Sequence, residues 1–104
     1  MRDIIDVRTP SMMAQIIAVT ADECGVSMRV FKSQMRTERC MRPRRIAAYL
    51  CRVHTENSSP QIAKAMGRKD HTTVLHHANV VCERLKVDPV FATQVGLIEV
   101  RLGL

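Results

Sequence analysis

The 104-residue sequence predicts an all-α fold, a compact bundle of about six helices. Three observations point there. Apolar residues recur at helical spacing, and no segment alternates apolar and polar residues with the β-branched and aromatic enrichment of a strand. Ser, Asp, Pro and Gly also fall where helices start and stop. At 46% hydrophobic, one chain of this length can hold a core without disulfides or metals. Phe31, Tyr49 and Phe91 are the aromatics, so that core is aliphatic, with seven Met as adaptable filler.

Residues 1–9 read as a leader, and 10–104 as one domain. Pro10-Ser11 opens a first helix with an apolar stripe of Met13, Ile16, Ile17 and Cys24, closed by Gly25. Ser27 caps a short second helix carrying Met28, Val30 and Phe31. Residues 33–42 have no clear stripe and read as a basic loop. Pro43 suits the first turn of a third helix, whose inward face is Ile46, Ala47, Leu50, Val53 and His54. Ser58-Ser59-Pro60 caps a short fourth helix with Ile62, Ala63 and Met66 inward. Gly67 ends it, because glycine takes a left-handed cap without steric penalty. Asp70 caps a fifth helix, with Val74, Leu75, Ala78, Val81, Cys82 and Leu85 on one face. Asp88-Pro89 caps the last, with Phe91, Val95, Ile98 and Leu102 inward.

Charge narrows the partner class. The net charge is +6, and it is unevenly spread: residues 29–86 hold thirteen basic and four acidic side chains, the flanks three and six. A basic block between acidic flanks is the footprint of a polyanion-binding surface. Cys24, Cys40, Cys51 and Cys82 form no C-x-x-C, and His71, His76 and His77 lack the Glu of an H-E-x-x-H helix. Reduced thiols, no metal and no cofactor are therefore expected. No apolar run approaches the ~20 residues of a membrane span, and the acidic, broken start is unlike a signal peptide. A cytoplasmic protein is the expectation.

The informative stretch is 59–86. A short helix, a glycine turn and a longer amphipathic helix make a helix-turn-helix, which puts the N-terminal end of its second helix into the DNA major groove. That end reads Arg68-Lys69-Asp70-His71-Thr72-Thr73. His and Thr can bond base edges, a Thr methyl can pack on a thymine methyl, and Asp can accept from a cytosine amino group. Asp70 also has the plainer role of a cap. No nucleophile–base set or paired carboxylates converge on any motif, so an enzyme is not expected.

The run Gly67-Arg68-Lys69-Asp70-His71-Thr72-Thr73-Val74-Leu75-His76 resembles the signature of the C-terminal DNA-binding domain of the bacterial replication initiator family DnaA. Arg42-Pro43-Arg44-Arg45 resembles that family's A-R-P-R-x stretch, and Pro43, Pro60 and Asp70 keep its spacing without a gap. The likeness covers about residues 12–86 and implies binding to duplex DNA at a short, asymmetric DnaA box. It assigns base contacts to Pro60, Asp70, His71 and Thr72 in the major groove and to Arg36 in the adjacent minor groove, where Arg is favoured. Thr73 lies on the backbone, and Arg42, Arg44, Arg45, Lys64, Arg68, Lys69 and His76 are candidates for phosphate contacts. A monomer suits an asymmetric site.

Departures from the family are also legible. Ser59 stands where an apolar residue is usual, His77 replaces a small one, and Gln34 and Glu38 dilute the charge before the long helix. No G-x-x-x-x-G-K-[ST] occurs, so a free-standing box reader without ATPase activity is expected, acting on replication initiation or on promoters. The rival is an adaptor that contacts the replication initiator or its regulators, through the leader residues Ile4, Ile5 and Val7 or through the last helix. Joint retention of Arg36, Pro60, Asp70, His71 and Thr72 favours DNA.

Overall fold

The computed structural model describes residues 11–104; the expected leader lies outside the described residues. Six helices follow in order: α1 (Met12–Glu23), α2 (Met28–Phe31), α3 (Glu38–His54), α4 (Ser59–Ala65), α5 (His71–Val87) and α6 (Pro89–Leu102). Five of the six starts are set by a side-chain cap; Thr37, at the start of α3, makes no such bond. Ser11, Ser27 and Ser58 accept from the backbone N–H three residues on, and Asp70 and Asp88 cap α5 and α6. Ser58 and Gln61 complete a reciprocal capping box at α4. Gly25 and Gly67 turn the chain with φ of +74° and +76°.

Helix α3 is the hub. It packs on α1, α2, α4 and α5, while α6 closes the bundle against α1 and α5. Ile46, Ala47, Ala48, Leu50 and Cys51 are all fully buried along it. The two alanines let neighbouring helices approach, and Ile46 and Leu50 fill the space with Ile16, Phe31, Ile62, Met66, Val74 and Val81. Two side-chain links hold the outer helix. Arg101 pairs with Asp22 at 3.0 Å and Glu23 at 2.7 Å, and His54 with Glu99 at 2.7 Å.

Three expectations need correction. The basic loop is shorter than 33–42: α3 begins at Glu38, leaving Pro43 inside the helix. Cys40 is buried and Met41 half-buried there, so the first turn has an apolar anchor, and Glu38 places a carboxylate at the positive helix end. Val53, expected inward, is 55% exposed. On α5, Leu75 and Cys82 face outward and His77 faces the core, so the buried stripe is rotated towards Val74, His77 and Val81.

The buried Arg44 organises the segment before α3. Only 3% exposed, it donates from Nε to the Phe31 carbonyl at 2.8 Å. Its Nη1 donates to Met35 at 2.5 Å, and Nη2 to Val30 at 3.2 Å and Ser33 at 2.9 Å. These carbonyls belong to the end of α2 and the 32–37 loop, so one guanidinium satisfies a turn that has no backbone ladder of its own. Arg44→Met keeps the stem but removes all of these donors, leaving the Met35 carbonyl without its partner while Arg68 still reaches Phe31 and Ser33. It is expected to cost about 2–4 kcal/mol, read by urea denaturation; a change within about 0.5 kcal/mol would contradict this role.

Candidate nucleic-acid interface

Helices α4 and α5 form the helix-turn-helix. Met66 and Ala63 are 1% exposed and Ile62 fully buried, which seats α4 on the core. The Gly67 N–H donates to Lys64 at 3.0 Å and the Arg68 N–H to Ala63 at 2.7 Å, closing a Schellman turn. A Cβ on Gly67 would lie 3.4 Å from Lys32 Cγ, so the turn abuts the 32–37 loop. Ser59, the unusual residue before Pro60, is buried and accepts from Arg52 Nη1 at 3.1 Å.

The start of α5 stands clear of the bundle. Asp70, His71 and Thr72 are exposed, as are Pro60 and Lys64 one turn apart on α4. Asp70 Oδ1 accepts from the Thr72 N–H at 3.0 Å and from its hydroxyl at 2.6 Å, and these bonds hold the carboxyl below its usual range. The capping role of Asp70 is therefore real. It also commits the Thr72 proton, leaving that side chain a methyl and an acceptor to present.

Arg36 is exposed on the loop, and a cleft of about 420 Å³ separates it from α5. Arg36, Arg44, Arg68 and Lys69 line this cleft against a single carboxylate, Asp70. Arg68 donates from Nη2 to the Phe31 carbonyl at 3.2 Å and to Ser33 at 2.7 Å, two of the four carbonyls that Arg44 holds. Burial first, then the nearby Arg36 charge, lowers the Arg68 pKa; burial, then Arg68 and Arg36, does so for Arg44. The cations crowd one another, which favours an anion between them.

The remaining cations divide. Arg44 is withdrawn from the surface, which corrects its expected phosphate contact: its donors already hold carbonyls. Arg42 turns to α6, bonding Gln94 Oε1 through Nε at 2.9 Å and through Nη2, and lying 5.3 Å from the Phe91 ring centre. Arg45 is half-buried and pairs with Glu38 at 3.0 Å. Lys64, Lys69 and His76 are exposed and Thr73 half-buried. Sequence reasoning missed His77, which is 6% exposed, lines the cleft and has no partner for Nδ1.

This arrangement defines the class: a helix-turn-helix nucleic-acid-binding module, with a polar first turn on the second helix and a cationic cleft beside it. Comparison with known proteins makes the class particular. The profile of the bacterial DnaA protein helix-turn-helix matches residues 13–81, and the chain belongs to this family. It is 32% identical over 104 residues to the chromosomal replication initiator protein DnaA of Symbiobacterium thermophilum, covering 98% of this chain and 23% of that protein. The Aquifex aeolicus protein of the same name is 39% identical over 87 residues, 84% of this chain and 22% of its own length. That of Levilactobacillus brevis is 45% identical over 64 residues, 62% and 14% respectively. The chain thus spans less than a quarter of the relatives it matches.

Burial, then the charges of Arg45, His76, Arg44 and Arg68, pulls the His77 pKa from 6.5 down to about 4. The native state prefers a neutral ring, while the unfolded chain takes up a proton below pH 6.5. The contribution of His77 is therefore complete above that pH and lost as pH falls towards 4, by roughly 2–3 kcal/mol. Urea denaturation at neutral pH and near the lower limit, in wild type and His77→Ala, checks it. The variant should lose less stability on acidification; equal losses would count against a neutral buried ring.

Proposed function

We propose that residues 10–104 act as one domain that reads a DnaA-box-like site in duplex DNA and thereby regulates replication initiation or transcription. The observation that carries this reading is the exposed first turn of α5, capped by Asp70 and presented next to Arg36 across a cationic cleft. His71, Thr72 and Asp70 take base edges in the major groove, Pro60 packs at its rim, and Arg36 enters the adjacent minor groove. Lys64, Arg68, Lys69, Thr73 and His76 hold phosphates, with Arg45 reaching them from its Glu38 pair. Arg42 adds to the field from beside α6 and Arg44 acts through the loop it fixes.

The domain works without ATP chemistry, binds as a monomer and resides with the nucleoid in the cytoplasm. Among the described residues, no helix is long and apolar enough to cross a membrane, and no cluster of His, Cys, Asp and Glu could hold a metal. The names of its relatives support replication initiation as the setting. One observation favours the adaptor reading as a second activity: Val90, Leu97 and Val100 stand 78%, 54% and 73% exposed on α6, an apolar edge that a protein such as the initiator or its regulators could cover.

Fluorescence anisotropy with a duplex carrying one DnaA box, against a scrambled duplex, tests the main reading. Binding to the box is expected to be at least about a hundredfold tighter, and affinity to fall with salt at a log–log slope of several units. Equal, weak binding would leave only the fold in common with the family. Arg36→Ala and His71→Ala are each expected to cost about 1–3 kcal/mol on the box and to relax discrimination. Lys69→Ala should weaken both duplexes alike. Undiminished discrimination by His71→Ala would move the reading surface elsewhere.

A further inference from the structure

The cleft between the 32–37 loop and α5 has an unexplained floor. His77 lines it, is 94% buried by the measure of its 6% exposure, and leaves Nδ1 without a hydrogen-bond partner. A buried polar atom left unpaired costs free energy that a ligand can recover. Thr73, one helical turn earlier on α5, lines the same cleft, and the helix's N-terminal end opens beside it. Above the floor stand Arg36, Arg68 and Lys69, with Arg44 beneath the loop. A neutral imidazole offers one N–H, and a half-turn of the ring about its terminal torsion exchanges Nδ1 with a carbon of similar size. Nδ1 is itself without solvent exposure, so the ring has to turn for its N–H to meet a group seated in the cleft.

The chemistry these groups select is that of a phosphate: several donors converging from guanidinium, ammonium, hydroxyl and imidazole, with one carboxylate, Asp70, already turned to its capping bonds. We propose that the cleft seats a single phosphate and that His77 is one of its ligands, donating a ring N–H from below while Arg36, Arg68 and Lys69 balance the charge. The inference rests on the DNA reading for its source. If Arg36 enters a minor groove and the start of α5 the adjacent major groove, the backbone strand dividing those grooves has to cross the space between them. That space is this cleft. The seated group is then a phosphodiester of the duplex rather than a free phosphate. His77 fixes where along the strand the protein sits, and so the register between its two base-reading elements.

The test is a scan in which each phosphate of the box duplex is replaced in turn by an uncharged methylphosphonate, with wild type, His77→Ala and His77→Gln. Circular dichroism establishes that each variant is folded, and Gln keeps an N–H donor where Ala removes it. One position, or two neighbouring ones, is expected to weaken wild type about tenfold while weakening His77→Ala less than about threefold. His77→Gln should recover part of the loss. Independent effects of the replacement and of His77→Ala at every position would overturn the assignment. A second arm follows the His77 ring resonances by NMR, with inorganic phosphate added against sodium chloride at equal ionic strength. A response to inorganic phosphate without coupling in the scan would likewise overturn the duplex assignment, leaving a free-phosphate site. If the box is no longer distinguished from a scrambled duplex by wild type, the DNA reading fails. If discrimination stands and coupling is absent, this inference alone fails.

Discussion

One buried guanidinium carries the architecture that the rest of the surface depends on. Arg44 sits in α3, the hub helix, and reaches the carbonyls of Val30, Phe31, Ser33 and Met35. Val30 also accepts locally from Ser33, but the Phe31, Ser33 and Met35 carbonyls are met by guanidinium donors, and burying them unpaired would be costly. Arginine suits the task because its planar fork holds several donors at fixed angles and remains charged when desolvated. Through it, the loop inherits the rigidity of the longest packed interface in the domain, α3 against α5.

Arg68 extends that logic from the other side. It leaves the Schellman turn between α4 and α5 and meets Phe31 and Ser33, so loop and turn share acceptors. The spacing between the Arg36 backbone and the start of α5 is therefore set by the scaffold. The arrangement concentrates like charges, and the pKa values of Arg44 and Arg68 are lowered by burial first and by that repulsion second. A surface optimised for stability alone would interleave acids here. The described cleft instead holds one carboxylate, itself engaged as a helix cap.

Much of this was legible in the sequence, because the signals were local. Ser27, Ser58, Asp70 and Asp88 act as caps, Gly25 and Gly67 as left-handed turns, and Phe91, Val95 and Ile98 face inward as their spacing indicates. The start of α3 was obscured by Pro43, whose preference for a first turn is a stronger local signal than the short apolar pair Cys40 and Met41. The face of α5 was misjudged because hydropathy favours Leu75 and Cys82 over His77, and only packing against α3 decides between two neighbouring rotations of the stripe. Arg42, Arg44 and Arg45 could not be told apart by composition. Side chains near one another on a helix diverge, so these reach α6, the loop and Glu38 respectively. The exposed first turn of α5 was readable as a motif; the cleft beside it was not, since its walls come from segments thirty residues apart.

The loop is held by its main chain and not by the side chains at its tip. Gln34, Met35 and Arg36 all point outward, while the bonds that fix the loop's path end on carbonyl oxygens that every amino acid possesses. Shape and side-chain identity are thereby uncoupled. A lineage can exchange residues at the tip, altering the side chains the loop presents, without refolding the segment that carries them. Such a loop is an exchangeable position on a fixed frame, comparable to the variable loops of binding scaffolds.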